Sequence, residues 1–381
     1  MPGPLEGVRV LDLSRVLAGP FCTMLLSDLG ADVVKVEHPD KGDDARHFGP
    51  PFVRGMSTYF ISVNRGKRSI TLDLKNDADR ATFLKLADKA DVLVENFRPG
   101  VMRKLGLDYE SLRKTNKGLV YASISGYGHT GPMSELPAYD IVIQALGGIM
   151  SVTGPEGGPP CKVGVSFSDI TAGIYAAVGI TSALYRRRIT GLGERVDVSM
   201  LDCQVAIQVP NVTNYLTTGV EPASTGNRNP SISPFAVFPT SDGEIVICAG
   251  NDDLWTKFCS CLGIGDRADD PLFLTNADRT VHHVELHQAI EAATRTMTTK
   301  ECLAMLAAAG VPSGPINSIA RTLAHPQVVA RNMVAETEHP SYGKVRHQGP
   351  AVKFTNSPAS VRRPAPLLGE HNSEVPLDWG I

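Results

Sequence analysis

A chain of 381 residues exceeds what one hydrophobic core usually organises, so two domains or one elaborated domain are expected. Its 42% hydrophobic and 20% charged residues exclude a disordered or collagen-like polypeptide, and a formal net charge of -3 offers no general attraction for nucleic acid or an anionic membrane. The seven cysteines, at 22, 161, 203, 248, 259, 261 and 302, are odd in number, scattered and without a C-x-x-C pair, which argues against a disulfide framework or zinc site and for a reducing compartment.

No charged-then-apolar leader precedes the first predicted strand, VRVLDLS at 8–14. A cytoplasmic protein is therefore expected, or one of the mitochondrial matrix if a targeting peptide has been removed. Further Val-, Ile- and Leu-rich runs follow at 31–39, 68–75, 90–97, 119–128 and 195–201, with helix-like segments at 20–29, 77–88 and 109–114 between them. This alternation predicts parallel strands with crossover helices, an α/β layered domain. Ligands of such sheets bind beyond the carboxyl ends of the strands, here the loops SRVLAG, EHPDKG, ENFRPG and SGYGHTG.

The stretch GVSFSDITAGIYAA at 164–177 holds a lone acid, Asp169, at the entrance to a helix of small apolar residues. Its ordinary role is an N-cap, which Ser168 could fill equally well. The helix reads apolar nearly all round and so predicts burial. Its most apolar part, 170–185, is shorter than the ~18 residues of a bilayer span.

From 202 to 230 the pattern breaks into Pro, Asn, Thr and Gly, predicting a linker and an extended loop. Strands at FAVFPTS and EIVICAG and helices at 252–262, 282–295 and 299–309 then predict a small α+β unit. The tail beyond 335 is proline-rich, with VKFTNS as its one predicted strand, and reads as an arm packed over another surface. The boundaries are thus 1–200 for the large domain, 201–230 for the linker, 231–325 for the small domain and 326–381 for the C-terminal segment.

A dinucleotide site would place G-x-G-x-x-G after the first strand, but LDLSRVLAGPFCTMLL has Gly19 alone, so no NAD is expected. There is no phosphate-loop, G-x-S-x-G or H-E-x-x-H motif, and the ten histidines do not cluster at metal spacing, so no metal is expected either. Carboxylate chemistry remains. Arg15, the NRGKRS run (Asn64, Arg65, Lys67, Arg68), Asn96, Phe97, Arg98 and Lys104 are each ordinary surface-loop residues taken singly. Together they could line a groove for a phosphorylated, adenine-bearing ligand, with guanidinium groups on phosphate and an aromatic face for a base.

The motifs LxGVRVLDLSRVLAGPF, LGADVVKVEHP, GDDARHFGPPF, NRGKRSITLDLK, ENFRPGV, SISGYGHTGP, AYDIVIQALGG and SDITAG, in this order, resemble the family III CoA-transferases, the formyl-CoA transferase and carnitine CoA-transferase group. The likeness continues through AGNDDLW, GVPSGPIN, HPQVVARNMV, GPAVKF and PAPLLGE, and so covers nearly the whole chain. GDDARHFGPPF and GVPSGPIN are most similar to the succinyl-CoA-dependent dicarboxylate branch, typified by succinate–hydroxymethylglutarate CoA-transferase.

The resemblance implies a Rossmann-like large domain built from both ends of the chain, a small domain on long linkers, and an interlocked homodimer. It implies that Asp169 is the nucleophile. CoA would contact Val16, Leu17, Ala18, His38, Leu72, Asp73, Leu74, Lys75, Asn96, Phe97, Arg98 and Lys104; His38 stands where some relatives carry arginine, and Pro137 where some carry lysine. Tyr139 and Asp140 would lie near the acyl group, and Gly250 and Asn251 match a glycine-rich loop that closes over the intermediate. Arg15 would pair with the distal carboxylate of a dicarboxylic substrate.

A carboxylate nucleophile forms an acyl anhydride and then an enzyme thioester, conserving the thioester's energy in covalent form, and burial protects both from water. The expected reaction moves CoA from an acyl-CoA such as succinyl-CoA to glutarate, hydroxymethylglutarate or itaconate. One rival is 2-methylacyl-CoA racemisation, but those racemases carry a GHD histidine where this chain has Tyr139, and an ordinary tyrosine, with a pKa of about 10, is a poor replacement base. The other is a non-catalytic CoA-binding protein, which would not need Asp169. Expected partners are the acyl-CoA donor, the acid acceptor and a second copy of the chain, with no nucleic acid and no membrane.

Overall fold

A computed structural model describes residues 2–381 and divides them into two compact units. The larger runs to Met150 and takes in Lys162–Val220 and Pro326–Ile381; the smaller comprises Ser151–Cys161 and Glu221–His325.

The larger unit is built on six parallel strands: β1 (Arg9–Asp12), β2 (Asp32–Glu37), β3 (Arg68–Thr71), β4 (Val92–Glu95), β5 (Val120–Ser125) and β6 (Arg195–Ser199). They lie in the order β3-β2-β1-β4-β5-β6. The direction of winding reverses between β1 and β4, and the crevice outside the strand ends at such a switch point is where α/β sheets hold ligands. The connecting helices are α1 (Ala18–Asp28), α2 (Thr58–Asn64), α3 (Asp77–Lys89), α4 (Val101–Lys104), α5 (Tyr109–Leu112), α6 (Asp140–Leu146) and α7 (Phe167–Thr190).

Both faces of the sheet are covered, which is why its strands read as apolar runs without a polar face. Val10, Val33, Val92 and Ala122 pack against Cys22 and Leu26 of α1 and Ala172, Ala176 and Ile180 of α7. Leu11, Val34 and Leu93 face Phe83 and Leu86 of α3 on the other side. Helix α7 extends the apolar stretch 170–185 from Phe167 to Thr190, and by length and composition alone it could cross a membrane, an 18-residue window of it having a mean hydropathy of 1.3. Here one face of it is buried against α1 and the sheet, while Ile174, Val178, Tyr185 and Ile189 on the rest are exposed, so the all-round burial read from its composition is only half met. Its Gly173 is required by that approach, since a Cβ there would stand 2.8 Å from the carbonyl oxygen of Ala18.

The predicted linker differs from the structure. Helices α8 (Met200–Ile207) and α9 (Val209–Thr218) occupy most of it. The Ser199 hydroxyl caps α8, Pro210 sits in the first turn of α9 where no N–H is needed, and Gly219 ends α9 in the left-handed conformation at φ 71°.

In the smaller unit β7 (Phe235–Pro239), β8 (Glu244–Cys248) and β9 (Ser313–Pro315) form an antiparallel sheet in the order β9-β8-β7. Helices α10 (Asp252–Leu262), α11 (Asn276–Val281), α12 (His283–Thr294), α13 (Thr299–Ala308) and α14 (Ile319–Leu323) complete it around Trp255, Phe258, Phe238 and Ile290.

After α15 (Pro326–Ala330) the C-terminal segment forms a hairpin of β10 (Val334–His339) and β11 (Gly343–Gln348). The predicted strand VKFTNS is instead irregular and pairs with no strand. The chain ends in α16 (Glu374–Trp379), whose Val375 and Trp379 enter the core beside α3. The Trp379 indole donates to Asp32 at 2.8 Å, and Arg68 joins Asp32 to Asp378 with two ion pairs of 2.6 Å.

Candidate active site

The segment between β1 and α1 enters the switch-point crevice in an unusual conformation. Val16 has φ 67°, a left-handed backbone that costs a β-branched residue on the order of 1–3 kcal/mol. The segment is pinned from outside. Lys35 Nζ donates to the Ser14 carbonyl at 2.7 Å, and Asn96 exchanges two hydrogen bonds with the Arg15 backbone at 2.8 and 2.7 Å. The Val16 N–H donates to Asp43 Oδ1 at 3.0 Å.

Below this segment lies a buried charge network. Lys67 pairs with Asp12 at 2.9 Å and Lys35 with Asp43 at 2.8 Å, all four side chains being fully buried. Burial would raise the Asp12 carboxyl, but the Lys67 and Lys35 ammonium groups and the Ser14 and Thr23 hydroxyls outweigh it and hold Asp12 at about 2. This corrects the reading of NRGKRS as a phosphate groove. Arg65, Lys67 and Arg68 are buried and pair within the chain, with Asp28, Asp12, and Asp32 together with Asp378.

A cavity of about 270 Å³ opens between Arg15–Ala18, Asn96–Arg98, Tyr139, Asp140 and Asp169, with Leu136 and Met200 in its wall. Asp169 is the third residue of α7 and is half-buried, its surroundings dense enough that burial, followed by the charge of Asp140, pushes its pKa up to about 7. Asp169 does not cap the helix, and neither does Ser168. Their backbone N–H groups instead donate to Asp140 Oδ1, at 2.8 Å from Ser168 and 3.4 Å from Asp169. The carboxylate at 169 is thereby left for the cavity. Gln144 fixes the other Asp140 oxygen at 2.6 Å.

A neighbouring cavity of about 590 Å³ is lined by His38, Leu72, Asp73, Leu74 and Lys75 and shares Arg15, Phe97 and Arg98 with the first. Arg15 lies half-exposed between them, its guanidinium 5.1 Å from the centre of the Phe97 ring and 3.5 Å from Asp44. The loop bearing Asn96 and Phe97 is tied down by Glu95, which accepts from the Phe97 N–H at 2.9 Å and is pushed up to about 7 by burial.

The structure thus brings most of the expected residues around two adjoining cavities. Lys104 stands exposed at the end of α4 and lines neither. Gly250 and Asn251 belong to the smaller unit, where Asn251 caps α10 through Leu254 N–H at 2.8 Å and the Gly250 carbonyl accepts from the buried Arg279 at 3.0 Å. Gly250 has no room for a side chain, since a Cβ would meet Ile232 at 2.1 Å.

Two groups that act on the site from beside it are not anticipated in the sequence reading. One is Tyr59 of α2, whose phenol is raised to about 12 by burial and then by the charges of Asp169, Asp140 and Asp43. The other is the Lys35–Asp43 pair, for which the only signal is a lysine in the middle of the buried strand DVVKVE.

Comparison with known proteins follows the same lines. Residues 5–372 match the family described as CoA-transferase family III. The chain is 42% identical to the succinate–glutarate CoA-transferase of Agrobacterium fabrum, covering 98% of this chain and 94% of the relative. It is 45% identical to the acetyl-CoA:oxalate CoA-transferase of Acetobacter aceti, covering 98% and 95%. Among solved structures, a CAIB/BAIF family protein from Brucella suis superposes with a TM-score of 0.88 at 41% identity over 100% of both chains.

Proposed function

Because the chain belongs to CoA-transferase family III, we propose that it moves CoA from succinyl-CoA to a second dicarboxylic acid, with Asp169 as the nucleophile. The observation that carries this reading is a half-buried carboxylate in the first turn of α7, relieved of capping by Asp140 and facing the cavity at the switch point.

The Asp169 carboxylate attacks the thioester carbonyl, the C–S bond breaks, and an aspartyl anhydride and CoA thiolate result. The thiolate then attacks the aspartyl carbonyl of the anhydride, giving an aspartyl-CoA thioester and releasing the donor acid. Attack by the acceptor carboxylate forms a second anhydride and frees the thiolate again. Its attack on the acceptor's acyl carbon gives the new thioester and restores Asp169. Each tetrahedral stage places negative charge on oxygen, and backbone N–H groups at the start of α1 are suited to receive it.

CoA occupies the two adjoining cavities, with Val16–Ala18, Leu72–Lys75 and Asn96–Arg98 as its contacts and His38 as a further polar group toward its phosphates; Lys104, outside both cavities, meets only a phosphate that extends beyond them. Arg15 pairs with the distal carboxylate. The names of the two relatives, which pair succinate with glutarate and acetyl-CoA with oxalate, support dicarboxylic substrates; glutarate, hydroxymethylglutarate and itaconate are the acceptors to test first.

The test is to incubate the protein with a panel of acyl-CoAs and acids, identify new thioesters by mass spectrometry, and map the hydroxylamine-trapped peptide. Asp169→Asn is expected to lose exchange and retain CoA binding. A trapped acyl group on another residue, or unchanged turnover of the variant, overturns the proposal.

We further propose an interlocked homodimer in a reducing, aqueous compartment such as the cytoplasm. The dimer is supported by large apolar side chains left exposed on α7 and α9, with Tyr185, Ile189 and Leu216 each more than two-thirds accessible. Light scattering on the purified chain tests it.

A further inference from the structure

Among the described residues three non-glycine positions take a positive φ, and Val16 is the one with a β-branched side chain. Glycine would adopt this conformation without strain, so a valine there has to be held. The holding group is specific. Asp43 Oδ1 accepts the Val16 N–H at 3.0 Å, while Oδ2 of the same carboxylate meets Lys35 Nζ at 2.8 Å. Lys35 also grips the Ser14 carbonyl at 2.7 Å, so one lysine–aspartate pair binds the backbone on both sides of Arg15.

Asp43 is itself fixed. Its N–H donates to Glu37 Oε2 at 3.0 Å, its Oδ1 also accepts from the Ala45 N–H at 2.9 Å, and Glu37 is clamped by two bonds of 2.7 Å from Arg46. A buried ion pair is often no more stabilising than apolar residues of the same volume, so stability alone is a weak reason for this one. Its geometry supplies another reason, because the chain of contacts ends on a peptide N–H in the wall of the Asp169 cavity.

We infer that Asp43, oriented by Lys35, is a positioning residue for acyl transfer: it keeps Val16 in the left-handed conformation and thereby sets the cavity wall formed by Val16, Leu17 and Ala18 against Asp169. The inference rests on the reading of this cavity as the acyl-CoA site. When the acceptor for the Val16 N–H is removed, Val16 relaxes toward negative φ and the wall moves with it. Misplacement of reacting groups by about 1 Å is enough to slow a reaction by up to ~100-fold.

The experiment is a double-mutant cycle on the full chain, reading kcat/KM for succinyl-CoA. In Asp43→Asn the amide oxygen turns to the Lys35 ammonium and its NH2 faces the Val16 N–H, so the hydrogen bond is lost. We expect this change to lower kcat/KM by about 10- to 100-fold in the native background, but by about threefold or less when Val16→Gly is also present, since glycine holds the conformation unaided. Equal losses in the two backgrounds, or no loss in either, overturn the role of Asp43. Should Asp43→Asn not fold in either background, Lys35→Arg takes its place with the same two outcomes. Asp169→Asn run alongside separates the inference from its premise, because exchange that survives there overturns the cavity reading itself.

Discussion

Asp140 caps the helix that carries Asp169, and the same carboxylate raises the pKa of the residue it leaves free. The positive end of α7 alone would pull Asp169 down, but burial and the Asp140 charge prevail and set it at about 7. With Asp169 as the proposed nucleophile the reactive form is the carboxylate, so kcat/KM should climb with pH through an inflection near 7. Asp140→Asn removes one of the two causes and should move the inflection lower without returning it to the usual carboxylate range, since burial persists. An unmoved inflection in the pH–rate profile would exclude Asp140 as the perturbing group.

The same shift has a stability consequence of opposite sign. Asp169 ionises at about 7 in the folded chain and near its ordinary value of 3.8 when unfolded, so the folded state loses stability progressively as pH rises across that interval. Asp169→Asn should therefore raise the urea midpoint at about pH 8 and leave it nearly unchanged below about pH 4. Midpoints measured at the two pH values check this.

Lys67 is the nearest cation to Asp12 and shares its full burial. Lys67→Met keeps the volume but leaves the Asp12 carboxylate with Lys35 as its remaining cation, and should destabilise the chain by about 3 kcal/mol. A loss under ~1 kcal/mol in urea unfolding would show that the network relaxes around the missing charge.

Gly173 sits where α7 and α1 touch. Alanine would favour the helix by about 1 kcal/mol in an open position, but here its methyl group meets the Ala18 carbonyl and the Phe21 ring. Gly173→Ala should be net destabilising by about 1–3 kcal/mol and should lower exchange activity, because the displaced α1 begins at the cavity wall. Thermal unfolding alongside the thioester assay measures both.

Arg15 stands half-exposed at the junction of the two cavities. Arg15→Ala should reduce kcat/KM for dicarboxylic acceptors by about 10- to 100-fold while changing that for monocarboxylic acids little, as expected for loss of one charge-assisted pair of about 1.5–3 kcal/mol. Equal losses on both classes, in competition between glutarate and butyrate, would assign Arg15 to CoA binding instead.

How much of this could be read from the chain depends on how local the cause is. The six parallel strands show as apolar runs because both faces are covered, and the loops after VRVLDLS and ADVLVENF are recognisable as strand ends. Asp169 stands out because the helix behind it is made of small residues. The fate of NRGKRS was hidden, since its partners Asp12, Asp28 and Asp32 are distant in sequence and a basic run looks the same whether it meets phosphate or buried carboxylates. Helix α9 was obscured by Pro210, which breaks a helix interior but suits its first turn. The hairpin β10–β11 draws its stability from mutual pairing, and a single strand's composition carries little of that information.

The bonds from Asp378 to Arg68 and from Trp379 to Asp32 tie α16 to strands made 310 and 347 residues earlier. During synthesis the Arg68–Asp32 pair at this side of the main sheet must wait for its further partners, Asp378 and Trp379, until α16 has been made. The inserted smaller unit, complete by His325, can finish folding first, so a chain stalled or clipped before α16 would carry one sound unit and one left open.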